Sequence, residues 1–316
     1  MNKNKARDTQ RSKDYKNIKQ YVVKEECELL NFLFSIFPGQ SRNSVKSLLG
    51  SHRVSIEGSP VTQFNFKLYP GDTVIISNTA IHKKTRSNLP IIYEDNDLIV
   101  INKPTKLLSV PSDNEKGSTA FRMVNDYLQQ KDKHNRAFIV HRLDEDTSGV
   151  LMFAKNNKMA MALTDGDNWN NLVKKRGYYA IVEGQLEKKE GTITSYLKKN
   201  AQNMMYSSKK KGDGQLAITK YKIIQENGAY SLADVDIKTG RKNQIRVHFG
   251  NLGHFIIGDD KYGEPSNPIK RLGLHAYELD IVNPLSGKLM KFKAPMPKEF
   301  SSLMNENYVK YNKGKK

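Results

Sequence analysis

A run of charged and hydroxyl residues at positions 141–149 contains the side chains of this chain that are best suited to chemistry. The run reads His-Arg-Leu-Asp-Glu-Asp-Thr-Ser-Gly, and residues 150–154, which follow it, have the length and composition typical of a buried strand. A carboxylate at the edge of such a strand is partly desolvated, so its charge needs a partner and its pKa can be tuned. Asp144 is therefore either a member of a structural ion pair or a catalytic group, and the run alone leaves both open.

Two later segments also combine apolar residues with functional side chains. Residues 176–184 read Arg-Gly-Tyr-Tyr-Ala-Ile-Val-Glu-Gly, and residues 239–248 read Thr-Gly-Arg-Lys-Asn-Gln-Ile-Arg-Val-His. Within the second, the alternation of polar residues with Ile245 and Val247 predicts a strand that places Arg246 on the face opposite these two apolar side chains. A helix is the alternative, but it would have no clear apolar stripe.

These segments, in this order, resemble the motifs of the large-subunit-type (RluA/RluD-like) family of pseudouridine synthases. The family carries the patterns HRLDxxTSG, KxYxAxVxG and TGRxxQIRVHxxxxGHPIxGDxxYG, which match residues 141–149, 178–184 and 239–263. A closing segment of the family matches residues 272–276 and 294–297, so the resemblance spans about residues 90–300. Four positions or pairs depart from the family pattern, and none coincides with a catalytic position: Lys106, Arg176, Lys242-Asn243 and Phe255.

The resemblance implies that the glycosidic bond of a uridine is cleaved and that its base is rotated and reattached through carbon. No metal and no organic cofactor is implied. The family's catalytic aspartate falls on Asp144, its basic partner on Arg246 and its tyrosine on Tyr178, which would stack on the uracil and help to remove the proton from its ring carbon. Ile245 would line the other side of the base, and Arg142 would fill the gap that a flipped nucleotide leaves in its stack.

Each of these roles has a structural alternative. Asp144 and Arg246 could form only a buried ion pair, and Tyr178 could be a core aromatic of its strand. Thr147 and Ser148 are better suited to shaping the loop through local hydrogen bonds than to reacting. Three histidines lack the carboxylate or thiol spacing of a metal site, so we expect no bound metal; they are His248, His254 and His275.

Composition favours a polyanionic partner. The 316 residues include 52 Lys and Arg against 33 Asp and Glu, a formal net charge of +19, which favours polyanionic partners. The family resemblance implies that this partner is structured RNA, and neither DNA nor a membrane is expected. No apolar stretch approaches the roughly 20 residues that cross a bilayer, and no secretory leader is visible. The single cysteine, Cys27, excludes an intrachain disulfide. We therefore expect a cytoplasmic protein, and nothing in the sequence requires more than a monomer.

The elements around these segments indicate an α+β catalytic domain with a mixed, largely antiparallel sheet and a central cleft, because the strands do not alternate regularly with helices. Strands are predicted over residues 98–101, 138–140, 150–154, 178–182, 216–224 and 231–237, and a helix over residues 118–128. The predicted organisation is a basic disordered tail (1–20), a small α/β RNA-binding domain (21–80), a linker (81–89), the catalytic domain (90–300) and a basic C-terminal tail (301–316).

The predicted N-terminal domain consists of two helices and a hairpin. Its first helix ends at residues 38–39, and Ser41 is the predicted N-cap of the second, with strands at 54–56 and 73–76. This arrangement resembles the alpha-L RNA-binding domain, which implies RNA contacts from the outer side of the second helix. The residues expected to make them are Arg42, Lys46 and Arg53. An unrelated docking module is the alternative.

The functional prediction is an RNA pseudouridine synthase that acts on ribosomal RNA, with the large subunit favoured because a large structured RNA suits the charge and the accessory domain. Transfer RNA is the second choice of substrate. The competing hypothesis from another class is a non-catalytic RNA-binding or ribosome-assembly factor that has kept the fold, and intact Asp144, Tyr178 and Arg246 argue against it.

Overall fold

The computed structural model describes residues 18–56, 59–78, 81, 89–111, 117–263 and 266–305. Contacts divide the chain into two compact units, Met1–Asn88 and Leu89–Lys316. The division falls within the predicted linker, of which only residues 81 and 89 are described. Most of both predicted tails also lies outside the described residues.

The described residues of the N-terminal unit form two helices and six short strands, which are β1 (Ile18–Val22), β2 (Cys27–Glu28), α1 (Leu29–Ile36), α2 (Arg42–Gly50), β3 (Val54–Ile56), β4 (Ser59–Pro60), β5 (Lys67–Leu68) and β6 (Thr73–Ser77). An antiparallel sheet has the order β1-β6-β3-β4, and β2 pairs with β5.

The two predicted helices of this unit are confirmed. Ser41 caps α2, since its hydroxyl accepts the Ser44 N–H at 3.1 Å. Leu33 of α1 and Leu49 of α2 are buried in one core with Val54 and Val74 of the sheet. The apolar spacing on each helix therefore faces the sheet as the sequence predicts.

The second unit contains eleven strands and five helices among its described residues. They are β7 (Ile91–Glu94), β8 (Leu98–Lys103), α3 (Ala120–Lys131), β9 (Phe138–Ile139), β10 (Ser148–Ala154), α4 (Asn157–Thr164), α5 (Asn168–Leu172), β11 (Val173–Glu183), β12 (Glu190–Lys199), β13 (Met205–Ser208), β14 (Gln215–Glu226), β15 (Tyr230–Ile237), α6 (Gln244–Asn251), β16 (Leu274–Val282), β17 (Leu289–Lys293) and α7 (Lys298–Met304).

All eleven strands join one sheet, so the predicted α+β class with a mixed, largely antiparallel sheet is confirmed. The order is β13-β12-β14-β15-β11-β16-β10-β8-β7, with β17 paired to β16 and β9 to β10. Among the named strand pairs of the described chain, only β10 with β16 is parallel. Every residue of β10 is buried, as expected for a central strand covered on both faces.

The structure corrects several predicted boundaries and elements. Residues 18–20 belong to β1 and not to a tail, and residues 301–304 continue α7, whose Leu303 and Met304 are buried. The long strands β12 and β16 were not predicted. Residues 190–199 of β12 are mostly exposed or half-exposed, whereas β16 is buried but carries polar residues such as His275 and Glu278 that hide its strand pattern.

The segment 244–248 is helical, so the predicted strand is wrong. It forms the first part of α6, and all residues from Gln244 to Phe249 are buried. A helix that is covered on every side has no need of an apolar stripe, which is why its residue pattern suggested a strand. No helix among the described residues is long and apolar enough to cross a membrane.

Candidate active site

The loop that carries Asp144 is held by hydrogen bonds from the segment after β8. The Ser109 hydroxyl donates to the Leu143 carbonyl at 2.7 Å and accepts the Leu143 N–H at 3.0 Å. The Thr105 hydroxyl donates to the Asp146 carbonyl at 2.7 Å. The backbone on both sides of Asp144 is therefore fixed by neighbouring residues, as a preorganised site requires.

Lys103, at the end of β8, also holds this loop. Its side chain is fully buried, and its ammonium donates to the carbonyls of Pro104, Leu107 and Glu145 at 3.0, 2.7 and 2.9 Å. Burial lowers the pKa of Lys103 to about 7, although the carboxylates of Asp146 and Asp144 oppose the shift. No role for this lysine was predicted from the sequence; a cation that ends an apolar strand was the available signal.

A close strand contact connects this loop to Tyr178. Gly149, which has φ +117°, pairs with Ala276 of β16, and on the other edge of β16 Ala276 pairs with Tyr178 of β11. A Cβ at Gly149 would lie against the Ala276 carbonyl, far inside van der Waals contact. A shift in the register of β11 against β16 also falls between Gly177 and Tyr178. Adjacent strands thus bring Tyr178 beside the Asp144 loop.

Helix α6 supplies Ile245 and Arg246 from a tightly fixed first turn. The Gln244 amide oxygen accepts from the Thr239 hydroxyl at 2.8 Å and from the Arg241 N–H at 3.1 Å. Its amide nitrogen donates to the Ile218 carbonyl and the Thr219 hydroxyl. Gln244 thereby joins the loop 239–243 and β14 to the start of the helix.

Arg246 forms a buried ion pair with Asp259, and the exposed carboxylate of Asp260 lies 4.0 Å from the same guanidinium. The Arg246 Nε donates to Oδ2 of Asp259 at 2.8 Å, and Nη2 donates to Oδ1; the two side chains are 5% and 1% exposed. Asp259 also accepts the backbone N–H groups of Lys261 and Tyr262 at 3.0 Å each. Among the described residues no ion pair joins Arg246 to Asp144, so the guanidinium acts on Asp144 through its charge.

One cavity, of about 190 Å³, brings five of the predicted site residues together. They are Arg142, Asp144, Tyr178, Ile245 and Arg246. Arg42, Lys46 and Arg53 belong to the N-terminal unit. Arg42 and Lys46 are exposed on α2, whereas half-buried Arg53 donates from Nε to the Ser77 carbonyl at 2.8 Å.

Burial and charge act in opposite directions on Asp144. Its pKa is raised above the ordinary value because burial disfavours the ionised form, while Arg246, then Arg142, counteract the rise. Burial raises the pKa of Tyr178 to about 12, and the charge of Asp144 adds to that rise. The tyrosine hydroxyl is therefore protonated at neutral pH.

Thr147 carries a buried hydroxyl that lacks a hydrogen-bond partner among the described residues. Thr147 lines the cavity and is 2% exposed, and its Oγ1 makes no hydrogen bond among the described residues. A buried polar group without a partner is costly to the folded state.

The three histidines considered as metal ligands have other contacts. His248 lies between the hydroxyls of Ser195 and Thr219 at 2.9 and 2.8 Å, and His275 lies 2.7 Å from the Ser148 hydroxyl. His254 contacts the Glu183 carbonyl at 2.8 Å. No cluster of three or more metal-ligating side chains occurs in the part of the chain that the structure describes.

Comparisons with known proteins identify the family. The family model "RNA pseudouridylate synthase" matches residues 97–251. The chain is 35% identical over 217 residues to the uncharacterized RNA pseudouridine synthase YhcT of Bacillus subtilis, covering 68% of this chain and 71% of that protein. It is 36% identical over 233 residues to the ribosomal large subunit pseudouridine synthase D of Borreliella burgdorferi, covering 70% of each.

Solved structures show the same fold. Human RNA pseudouridylate synthase domain containing 1 superposes with a TM-score of 0.54 at 25% identity, covering 66% of this chain and 84% of that chain. Human RNA pseudouridylate synthase domain containing 4 gives 0.55 at 21% identity, covering 67% and 90%. The chain therefore belongs to the RluA/RluD-like RNA pseudouridylate synthases, isomerases that convert uridine to pseudouridine in RNA.

Proposed function

We propose that Asp144 is the catalytic carboxylate and that large-subunit ribosomal RNA is the substrate. The catalytic role of Asp144 is supported by the cavity that it shares with Tyr178, Ile245 and Arg246. The loop that carries Asp144 is held by hydrogen bonds from Lys103 and Ser109. The name of the Borreliella relative and the net charge of +19 support the second part.

The proposed reaction breaks the N1–C1′ bond of uridine, rotates the uracil and forms a C5–C1′ bond. The C5 proton leaves and N1 gains one, so that no co-reactant is consumed. Asp144 serves as nucleophile or base in the cleavage, and every route needs it ionised. The positive charges of Arg246 and Arg142 favour that form against the effect of burial on its pKa.

Tyr178 is the proposed group at C5. Since its pKa of about 12 keeps the hydroxyl protonated, it cannot simply store the C5 proton. It acts as a relay that accepts this proton while giving its own proton to a base. We assign Asp144 as this base, because it is the carboxylate whose charge acts on Tyr178. Ile245 packs on the uracil.

The uridine must leave its stack to enter a cavity of this kind. Arg142 is exposed and lines the cavity that contains Asp144, a position from which its guanidinium can occupy the space left by the flipped nucleotide. Loops and bulges of structured RNA release a base at the lowest cost, which agrees with ribosomal RNA as the substrate.

The substrate is tested with large-subunit ribosomal RNA and transfer RNAs that have been transcribed in vitro and carry no modification. After incubation with the protein, carbodiimide-dependent reverse-transcription stops map each new pseudouridine. We expect new stops in the ribosomal RNA. Stops confined to transfer RNA would refute the ribosomal substrate, and no stop in either RNA would favour a non-catalytic RNA-binding role.

For the N-terminal unit we propose RNA binding through α2, where Arg42 and Lys46 are exposed. Replacing both with Gln should lower the slope of log affinity against log salt by about one to two, since each phosphate contact adds about 0.7–0.9. Arg53→Gln should instead destabilise the unit, because it removes the bond to the Ser77 carbonyl. An unchanged slope in the double variant would refute this role. A cytoplasmic, monomeric state remains a prediction of the sequence.

A further inference from the structure

A second cavity, of about 290 Å³, adjoins the one that contains Asp144. The two share Arg142, Tyr178 and Arg241 among their lining residues, but the second is lined by Trp169 and Arg176 and not by Asp144. It is larger than the first cavity, so if the first accepts a uracil the second has room for another base. None of the proposed chemical steps uses it.

The charge of this second cavity suits a phosphate. Arg176 is half-buried, and its Nη2 donates to two neutral oxygens, the Asn170 amide at 3.2 Å and the Lys238 carbonyl at 3.1 Å. Within the described chain no carboxylate lies within ion-pair distance of Arg176. Burial lowers the pKa of Arg176, as expected for a desolvated guanidinium without a direct counter-ion.

The acidic residue of this cavity is already neutralised. Glu278 is the one carboxylate among the described lining residues, and it is 6% exposed. It forms ion pairs with Lys175 and with Lys293, the latter at 3.1 Å. The charges left to act on a ligand are therefore positive, from Arg142, Arg176 and Arg241.

The cavity also offers a rigid aromatic surface. Trp169 is half-buried and stacks on His141, with ring centroids 4.7 Å apart and an angle of 21° between the planes. Burial lowers the pKa of His141 to about 3, and its Nε2 accepts the Met152 N–H at 2.9 Å, so that the imidazole is neutral and fixed. Bases of unpaired RNA bind to such aromatic rings and to guanidinium planes.

We propose that the second cavity binds a nucleotide adjacent to the target uridine, with its base against Trp169 and its phosphate at Arg176. This rests on the proposed function only in that the first cavity receives the uridine. The enzyme would then read two neighbouring splayed nucleotides, so the second cavity would contribute to the choice of site within the RNA.

Trp169 is the only tryptophan of the chain, so its fluorescence reports this cavity directly. The full-length protein is titrated with a short RNA hairpin whose loop carries one uridine between adenosines, and with two hairpins in which one flanking adenosine is abasic. We expect one of these abasic hairpins to reduce the fluorescence change to less than about a third. A response that is the same for all three hairpins would overturn the proposal.

The phosphate contact is tested with Arg176→Gln, Arg176→Lys and the control Arg136→Gln, which removes an exposed guanidinium outside the cavity. Arg176→Gln should weaken hairpin binding about fivefold or more and lower the salt slope by about one. Arg176→Lys keeps the charge and should restore the slope, which a misfolded variant could not do. If Arg176→Gln binds like Arg136→Gln, the proposal is wrong.

These readouts measure binding and not turnover. If the fluorescence change does not depend on the flanking base but pseudouridine still forms in ribosomal RNA, the second cavity has no such role and the proposed function stands. A fluorescence response that depends on the flanking base, with no pseudouridine formed, would support the second cavity and refute the proposed function.

Discussion

The guanidinium of Arg246 is bound to the carboxylate of Asp259, with Nε and Oδ2 at 2.8 Å, while its charge lowers the pKa of Asp144 against the effect of burial. Arg246 is thus held by the buried carboxylate of Asp259, and its positive charge favours the ionised form of Asp144. Its orientation, and with it the ionisation of Asp144, depends on Asp259.

Asp259→Asn should therefore impair both stability and catalysis. Breaking a buried ion pair from one side costs about 3 kcal/mol or more, because the remaining charge stays buried. We expect urea unfolding to show a free energy of unfolding that is lower by about this amount. We also expect activity to fall by about tenfold or more, because Arg246 is no longer held in place. Asp260→Asn is the matched control, since Asp260 also lies 4.0 Å from the Arg246 guanidinium but its side chain is 92% exposed, so that solvent screens the interaction. If both substitutions changed stability and activity equally, Asp259 would not be the residue that holds Arg246.

Gly149→Ala should destabilise the central pair of parallel strands. A Cβ there would collide with the Ala276 carbonyl, and φ is +117°, so we expect a loss of about 3 kcal/mol or more. Gly166→Ala is the control, because Gly166 also has a positive φ, +55°, but a Cβ added there would meet no atom within 4 Å. That change should cost about 1–2 kcal/mol. Similar Tm values for the two variants would refute the close contact between Gly149 and the Ala276 carbonyl.

Lys103 should make stability depend on pH. Since its pKa is about 7 in the folded protein and 10.5 in an unfolded chain, unfolding takes up a proton between these values. Stability contributed by this group therefore rises as pH increases from about 7 to 10, by up to about 1.4 kcal/mol per pH unit. Lys103→Met should abolish this part of the slope in the free energy of unfolding. Lys106→Met, at an exposed neighbour, should retain it; a retained slope in Lys103→Met would speak against the buried ammonium.

Tyr178→Phe should separate chemistry from binding. The ring that stacks on the base remains, but the hydroxyl that relays the C5 proton is lost, and we expect kcat to fall by about a hundredfold or more with RNA affinity little changed. Tyr179→Phe is the matched control, because Tyr179 is not among the lining residues of the Asp144 cavity and stacks on Tyr277 at 4.0 Å. A kcat for Tyr178→Phe close to that of Tyr179→Phe would exclude the relay.

Much of this architecture could be predicted from sequence because local signals are strong where one face of an element is buried. The Ser41 cap and the buried strand that follows the Asp144 loop are examples. Asp144 and Tyr178 were chosen from motif segments far apart in the chain, and the sheet register brings Tyr178 of β11 beside the loop that precedes β10, with Ala276 of β16 between them.

The remaining features depend on tertiary contacts that leave no local pattern. Helix α6 is covered on all sides, so its polar residues Gln244 and Arg246 are satisfied by the loop 239–243, by β14 and by Asp259, and no stripe marks it as a helix. Lys103 is stabilised by three carbonyls that meet only in the folded chain. Neither arrangement can be read from residue spacing.

The catalytic role of Asp144 is tested by measuring the pseudouridine that Asp144→Asn forms in unmodified large-subunit ribosomal RNA. Glu145→Gln, at the exposed next residue, is the control. We predict that Asp144→Asn lowers turnover by at least about a thousandfold, or about 4 kcal/mol of barrier, while RNA binding persists. We also predict a Tm no lower than that of the wild type, because the buried charge is removed. Turnover by Asp144→Asn comparable to that of Glu145→Gln would contradict the catalytic role of Asp144.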